Sequence, residues 1–266
     1  MKKRLAFLAM TTTGFVHADT VSTIFDINYL DYGIGDSMGV SVTHYFDPRA
    51  LRGPLDQFGF INSKSFVGVS HDDFEFGNST ALTGTWHMDN GMYIGLDYRL
   101  RDYDSGSDDE ISHTLGYQSN EVWSVSATFS DFEGAANDVS FNARYEHDLG
   151  ENDYLAFSYG TNNDFDYHTI TSRYFNDIED GGYYTLRAVF TQYDDIPGLD
   201  LDDDWTIGGD YYWNDYTSAG VSFSDDAYSI GARHYFNDNW ALTASYAELD
   251  SLDDDNMWEI TLTAQF

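Results

Sequence analysis

Trp258-Glu259-Ile260-Thr261-Leu262-Thr263-Ala264-Gln265-Phe266 ends the chain, and its residues sort by parity. Successive side chains of a strand point to opposite faces. Trp258, Ile260, Leu262, Ala264 and Phe266 therefore share one face, and Glu259, Thr261, Thr263 and Gln265 share the other. One side is greasy and the other is polar. The same alternation recurs upstream. Met92, Ile94, Leu96, Tyr98 and Leu100 oppose Tyr93, Gly95, Asp97, Arg99 and Arg101. Trp123, Val125, Ala127 and Phe129 oppose Ser124, Ser126, Thr128 and Ser130, and Val139, Phe141, Ala143 and Tyr145 oppose Ser140, Asn142, Arg144 and Glu146.

Sixteen such segments can be marked, starting near residues 20, 38, 65, 79, 91, 110, 121, 138, 153, 165, 183, 205, 216, 227, 240 and 257. Each is about 8–11 residues long, close to the roughly 9–11 that a tilted strand needs to cross a bilayer. An even count is what a single-chain bacterial barrel requires. Residues 165–174 alternate poorly, so fourteen strands is the fallback. A soluble sandwich also alternates, but it turns its apolar face onto a packed core. Here the opposite face is Ser, Thr, Gly, Asp and Arg in strand after strand. The pattern predicts an all-β fold, a transmembrane antiparallel up-and-down β-barrel with its apolar face to lipid and its polar face around water.

Composition agrees. The 46 acidic residues outnumber the 12 Lys and Arg, and the net charge is −34, a surface that repels nucleic acid. A mean hydropathy of −0.45 is low, but 17% aromatic residues argue against disorder. The first residues read as a secretory signal: Lys2, Lys3 and Arg4, a short apolar run from Leu5 to Met10, then Val16-His17-Ala18 as a cleavage site. That apolar run is far below the roughly 20 residues of a membrane-spanning helix. The expected division is residues 1–18 as signal peptide and residues 19–266 as one barrel. With no cysteine, a thiol nucleophile, a Cys-zinc site and an iron–sulfur cluster are excluded.

The connections also alternate. Arg173-Tyr174-Phe175-Asn176-Asp177 recurs as His234-Tyr235-Phe236-Asn237-Asp238 and, shortened, as Tyr212-Trp213-Asn214-Asp215. Aromatic residues beside these turns fit an interfacial girdle. The other set, residues 102–110, 194–204 and 250–255, is longer or more acidic. Short turns on one side and longer loops on the other are the asymmetry of an outer-membrane barrel, with both termini periplasmic. Residues 47–64 break the rule. Parity makes this longest connection periplasmic, yet Leu51, Leu55, Phe58, Phe60 and Ile61 are too apolar to sit freely in water. The segment is expected to pack against the barrel mouth or fold into it.

A final strand ending in Phe266 resembles the terminal signal that the barrel-assembly machinery reads. Leu51-Arg52-Gly53-Pro54-Leu55, followed by Phe58 and Ile61-Asn62, resembles a segment near the start of general porins of marine gammaproteobacteria. In that family an acidic-Ala-Ala-Phe-Leu run follows the Gly-Pro-Leu, and Asp56-Gln57-Phe58-Gly59-Phe60 matches it in part. The resemblance implies a sixteen-stranded, often trimeric diffusion channel of the Gram-negative outer membrane. Its partners are then outer-membrane lipids and lipopolysaccharide, the barrel-assembly machinery, and small hydrophilic solutes and ions. This chain is short for a porin and has no long loop suited to folding inward as a constriction.

The candidate pore lining starts from the arginines. After the signal, six of eight fall within strands: Arg99, Arg101, Arg144, Arg173, Arg187 and Arg233. All but Arg173 fall clearly on the polar face. An Arg facing lipid costs about 2–4 kcal/mol at the midplane, which drives these residues to the lumen. Opposite acids such as Asp97, Glu146 and Asp210, they set a transverse field and tune ion selectivity, or they serve only to neutralise the wall. The acidic loops form a cation-attracting mouth. Asp200-x-Asp202-x-Asp204 imitates the start of an EF-hand loop, but Trp205 stands where Gly is required, so no metal site is assigned. His44, His71, His87, His113, His147, His168 and His234 are scattered without ligand spacing. Neither a G-x-S-x-G elbow nor a phosphate-binding loop occurs, and no cofactor is implied. The expected function is passive diffusion of small hydrophilic solutes and ions. The alternatives are a lipase- or protease-type barrel enzyme and a plugged structural or adhesive barrel.

Overall fold

The computed structural model describes residues 20–32, 35–103, 106–119, 122–132, 138–150, 152–178, 181–194, 202–249 and 256–266. Residues 1–19, which contain the expected signal segment, and much of the acidic loops at residues 195–201 and 250–255 lie outside this set. The strands are β1 (Thr20–Asp31), β2 (Asp36–Ala50), β3 (Phe66–Phe74), β4 (Gly77–His87), β5 (Met92–Tyr103), β6 (Gly106–Ser119), β7 (Trp123–Phe132) and β8 (Asp138–Asp148). They continue as β9 (Tyr154–Asn162), β10 (Tyr167–Ile178), β11 (Gly182–Tyr193), β12 (Asp204–Asn214), β13 (Thr217–Ser224), β14 (Ala227–Asn237), β15 (Trp240–Leu249) and β16 (Asn256–Gln265).

Each strand pairs antiparallel with the next, and β1 pairs with β16 from Ile24↔Gln265 to Asp31↔Trp258, so the sixteen strands close into a barrel with no free edge. Closure matters in lipid, where an unpaired strand edge has no water to bond. The apolar face points out: Leu82, Ile94, Leu115, Leu186, Val221, Ile230 and Ile260 are all exposed on the wall. Val221 lies near the middle of β13, the shortest strand. Val221→Arg is expected to destabilise the barrel by about 2–4 kcal/mol, the cost of a midplane charge in lipid, whereas Ser229→Arg, on the lumen face, is expected to cost much less. Urea titration of the barrel in liposomes checks this.

Three expectations need correction. Residues 102–110 are not a loop: β5 and β6 continue to Tyr103↔Gly106, zipped by Arg101, which pairs with Asp108 at 3.4 Å and Glu110 at 2.9 Å. Longer loops are not the rule at the end opposite the termini either, since residues 75–76 and 225–226 suffice there to join β3 to β4 and β13 to β14. The aromatic turns are only half a girdle. Trp213 and Phe236 are exposed outside, but Tyr212, Tyr235 and Phe175 are buried inside. Neighbouring residues of a strand must face opposite ways, so something has to cover the inward rings.

Candidate pore lining and mouth plug

That cover is the connection between β2 and β3. β2 runs on to Ala50, with a large register shift between Val21 and Thr23 that accommodates Pro48, which has no N–H for the ladder. Residues 51–65 then turn into the barrel at the end where β1 begins and β16 finishes. Leu51 bridges to Phe58. The Arg52 N–H donates to the Gln57 carbonyl at 2.9 Å, and the Gln57 N–H to the Pro54 carbonyl at 2.9 Å. Gly53 holds this turn at φ 80, with its Cα against the Tyr183 ring, so a Cβ would collide.

The plug reaches across the barrel. Leu55 packs with Tyr235 and Ala241, and Leu51 lies beside them. Phe60 and Tyr183 each pack on the buried cluster of Tyr154, Ala156 and Phe175. At about 1.5–3 kcal/mol for each fully buried large apolar side chain, Leu55 and Ile61 hold the seated form by several kcal/mol. Polar ties fix the register. Arg52 pairs with Glu146 at 3.0 Å and Asp148 at 2.8 Å. The Ile61 N–H donates to Glu146 at 3.0 Å, and Gln265 donates to the Leu55 carbonyl at 3.0 Å. Arg49 lies over the Tyr45 and Phe58 rings and donates to the Gly59 carbonyl at 3.2 Å.

The tip of the plug meets the arginines. Arg233 donates to the Asp56 carboxylate at 2.6 Å. Arg173 donates to the Gln57 carboxamide oxygen at 2.6 Å, while the Gln57 amide donates to the Tyr212 hydroxyl at 2.5 Å. Arg173 thus faces inward, beside Phe175 on the face that the plug covers. On the lumen side of the tip is a cavity of about 410 Å³ lined by Arg173, Arg187, Asp210, Tyr212, Arg233 and Glu259.

The other expected lining residues divide by height. Arg187 pairs with Asp210 at 3.3 Å and lies close over Gly208, where a Cβ would collide with Ser222 and the Val221 carbonyl. Arg144 is exposed to the lumen and donates to Asn142 at 3.0 Å. Asp97 faces in from the middle of β5, with Arg99 and then Arg101 above it toward the far rim. Glu146 is only 4% exposed and belongs to the plug seat rather than to the open wall. Tyr93 does not cross the lumen: it lies flat over Gly116 and stacks on His87 at 5.0 Å. Phe266 sits at the β1–β16 seam, where its N–H donates to the Thr23 carbonyl at 2.9 Å and its ring meets Trp240 edge-on. At the rim opposite the termini, partial desolvation and the charges of Asp204, Asp226 and Asp202 raise the Asp225 carboxyl above its ordinary pKa. Sequence reading missed Arg49, Arg52, Asp56 and Gln57. The partners of Arg52, Asp56 and Gln57 lie far along the chain, so no local spacing marks them.

A family model described as "Putative general bacterial porin" matches residues 1–266. No curated protein matches the chain. Among solved structures the chain is similar to the Acinetobacter baumannii outer membrane protein Omp33, with TM-score 0.59 and 13% identity over 93% of this chain and 99% of that one. It is also similar to Acinetobacter baumannii OccAB1, with TM-score 0.51 and 10% identity over 96% and 98% of the two chains. A mutant of the Rh. blastica porin gives TM-score 0.51 and 13% identity over 93% and 99%. At such identities these likenesses speak for the fold, while the family match spans the whole sequence. The protein belongs to the general bacterial porins, barrels of the Gram-negative outer membrane through which small solutes diffuse passively.

Proposed function

We propose that this porin selects ions and small hydrophilic solutes by a transverse field, with residues 51–65 as its narrowest point. The observation that carries the reading is the placement of charge around the ring. Arg144, Arg173, Arg187 and Arg233 project from β8, β10, β11 and β14. Asp26, Asp72 and Asp97 stand on β1, β3 and β5, the opposite wall, where Arg99 lies higher and Arg101 is neutralised by Asp108 and Glu110 toward the far rim. Fixed charges across a narrow aqueous path act on permeating ions more strongly than the same charges in bulk water. The acidic far rim gathers cations before they reach this field.

Arg144→Glu together with Arg187→Glu is expected to shift the reversal potential in a salt gradient toward cation preference. An unchanged reversal potential would place both residues outside the ion path. In the same reading residues 1–18 direct export and are cleaved, and the barrel-assembly machinery recognises the strand ending in Phe266. A homotrimer needs a flat outer face. Ala219, Ala232 and Ala244 stand side by side across β13, β14 and β15 and supply one; chemical cross-linking in membranes tests the assembly.

A further inference from the structure

The tip of the plug carries the chemistry of a ligand. Asp56 offers a carboxylate to a guanidinium at 2.6 Å. Gln57 offers a carboxamide that accepts from Arg173 at 2.6 Å and donates to Tyr212 at 2.5 Å. Charge-assisted bonds of this kind are the strong, geometrically selective ones. Two side chains thus fill a carboxylate site and an amide site next to each other. The adjoining cavity, at about 410 Å³, has room for a small solute, within the roughly 300–1,000 Å³ of ordinary ligand pockets. Glu259 and Asp210 also line it, so a solute with a carboxylate at one end and a neutral or cationic donor at the other matches the walls.

We propose that Arg173, Tyr212 and Arg233 form a binding site for small amino-acid-like carboxylates, that the Asp56–Gln57 tip occupies it as a built-in mimic, and that such a solute displaces the tip and opens the mouth. This rests on the channel reading above and names its solute class. The displacement follows from exclusion: solute and tip need the same donors, so the solute binds the open form and shifts the population toward it. The seat also has slack. The Tyr154 hydroxyl beneath the plug is buried with no hydrogen-bond partner. Keeping a hydroxyl dry and unpaired is unfavourable, and opening restores it to water.

The test uses the whole mature barrel in planar bilayers and liposomes, with L-glutamine as probe. Glutaminamide, which lacks the carboxylate, and glucose are the controls. Glutamine is expected to raise open probability in potassium chloride severalfold, and neither control to do so. The chain has no native cysteine, so an Ile61→Cys thiol reports the seat directly: glutamine is expected to speed its maleimide labelling. A D56A/Q57A variant, still seated through Leu55, Ile61 and Arg52, is expected to open more often without solute and to lose the response to glutamine. Equal responses to glutamine and glutaminamide would overturn the carboxylate site. A wild type that conducts, or conducts once residues 52–64 are replaced by a linker, yet shows no glutamine response in current or labelling would overturn this inference and leave the channel standing. Silence from both forms would remove the channel and this inference with it.

Discussion

Replacing residues 52–64 by a short glycine-serine linker is expected to raise single-channel conductance severalfold and to replace a mostly closed, noisy current by a steady one. The plug hangs from β2 and β3 but fastens to strands from β8 round to β16, including Glu146, Arg173, Tyr212, Arg233 and Gln265. It therefore lies across the mouth rather than along one wall. Removing it leaves the barrel hydrogen bonds in place, because the β2–β3 ladder from Ser37↔Phe74 to Tyr45↔Phe66 does not include it. The variant will be less stable, since Phe175, Tyr154 and Tyr235 then meet water. Heat-resistant migration on a gel separates that cost from unfolding. Unchanged conductance in a folded variant would mean that ions never depended on the plug moving.

Deleting Phe266 is expected to cut the amount of assembled barrel in the outer membrane severely while export continues. The residue closes the circle physically. Its carbonyl accepts from the N–H groups of Ser22 at 2.6 Å and Thr23 at 2.9 Å, and its own N–H returns a bond to Thr23. Without it the seam loses its last rung, and the outer face loses an aromatic ring beside Trp240. Counting folded against soluble periplasmic protein after fractionation checks the outcome. Normal assembly would place the terminal signal elsewhere.

Most of the wall was readable because parity is a local property. The segment starting near residue 91 shows its two faces within one strand, and lipid gives each face only one place to go. β10 was harder. Its inward face carries Phe175, which period-two logic assigns to lipid unless another segment covers it from inside. The plug itself announced only its greasiness, through Leu51, Leu55, Phe60 and Ile61. Its polar partners could not be foreseen, because Ile61 and Glu146 are 85 residues apart and Leu55 and Gln265 are 210 apart. Glu146 looked like any lumen acid for the same reason. Arg49 and Arg52 fell outside the strands marked in the sequence and so outside the pore set, yet Arg49, near the end of β2, and Arg52 both hold the floor.

Those separations also impose an order of events. Apart from Arg49 and His87, the docking partners described for residues 51–65 are supplied by the second half of the chain, ending at Gln265 in the last strand. Long-range contacts of this kind form late in folding. The stopper cannot find its place until the circle is nearly complete, so its docking acts as a receipt for finished construction. A barrel stalled part-way would instead hold out a sticky, undocked loop at its unfinished mouth.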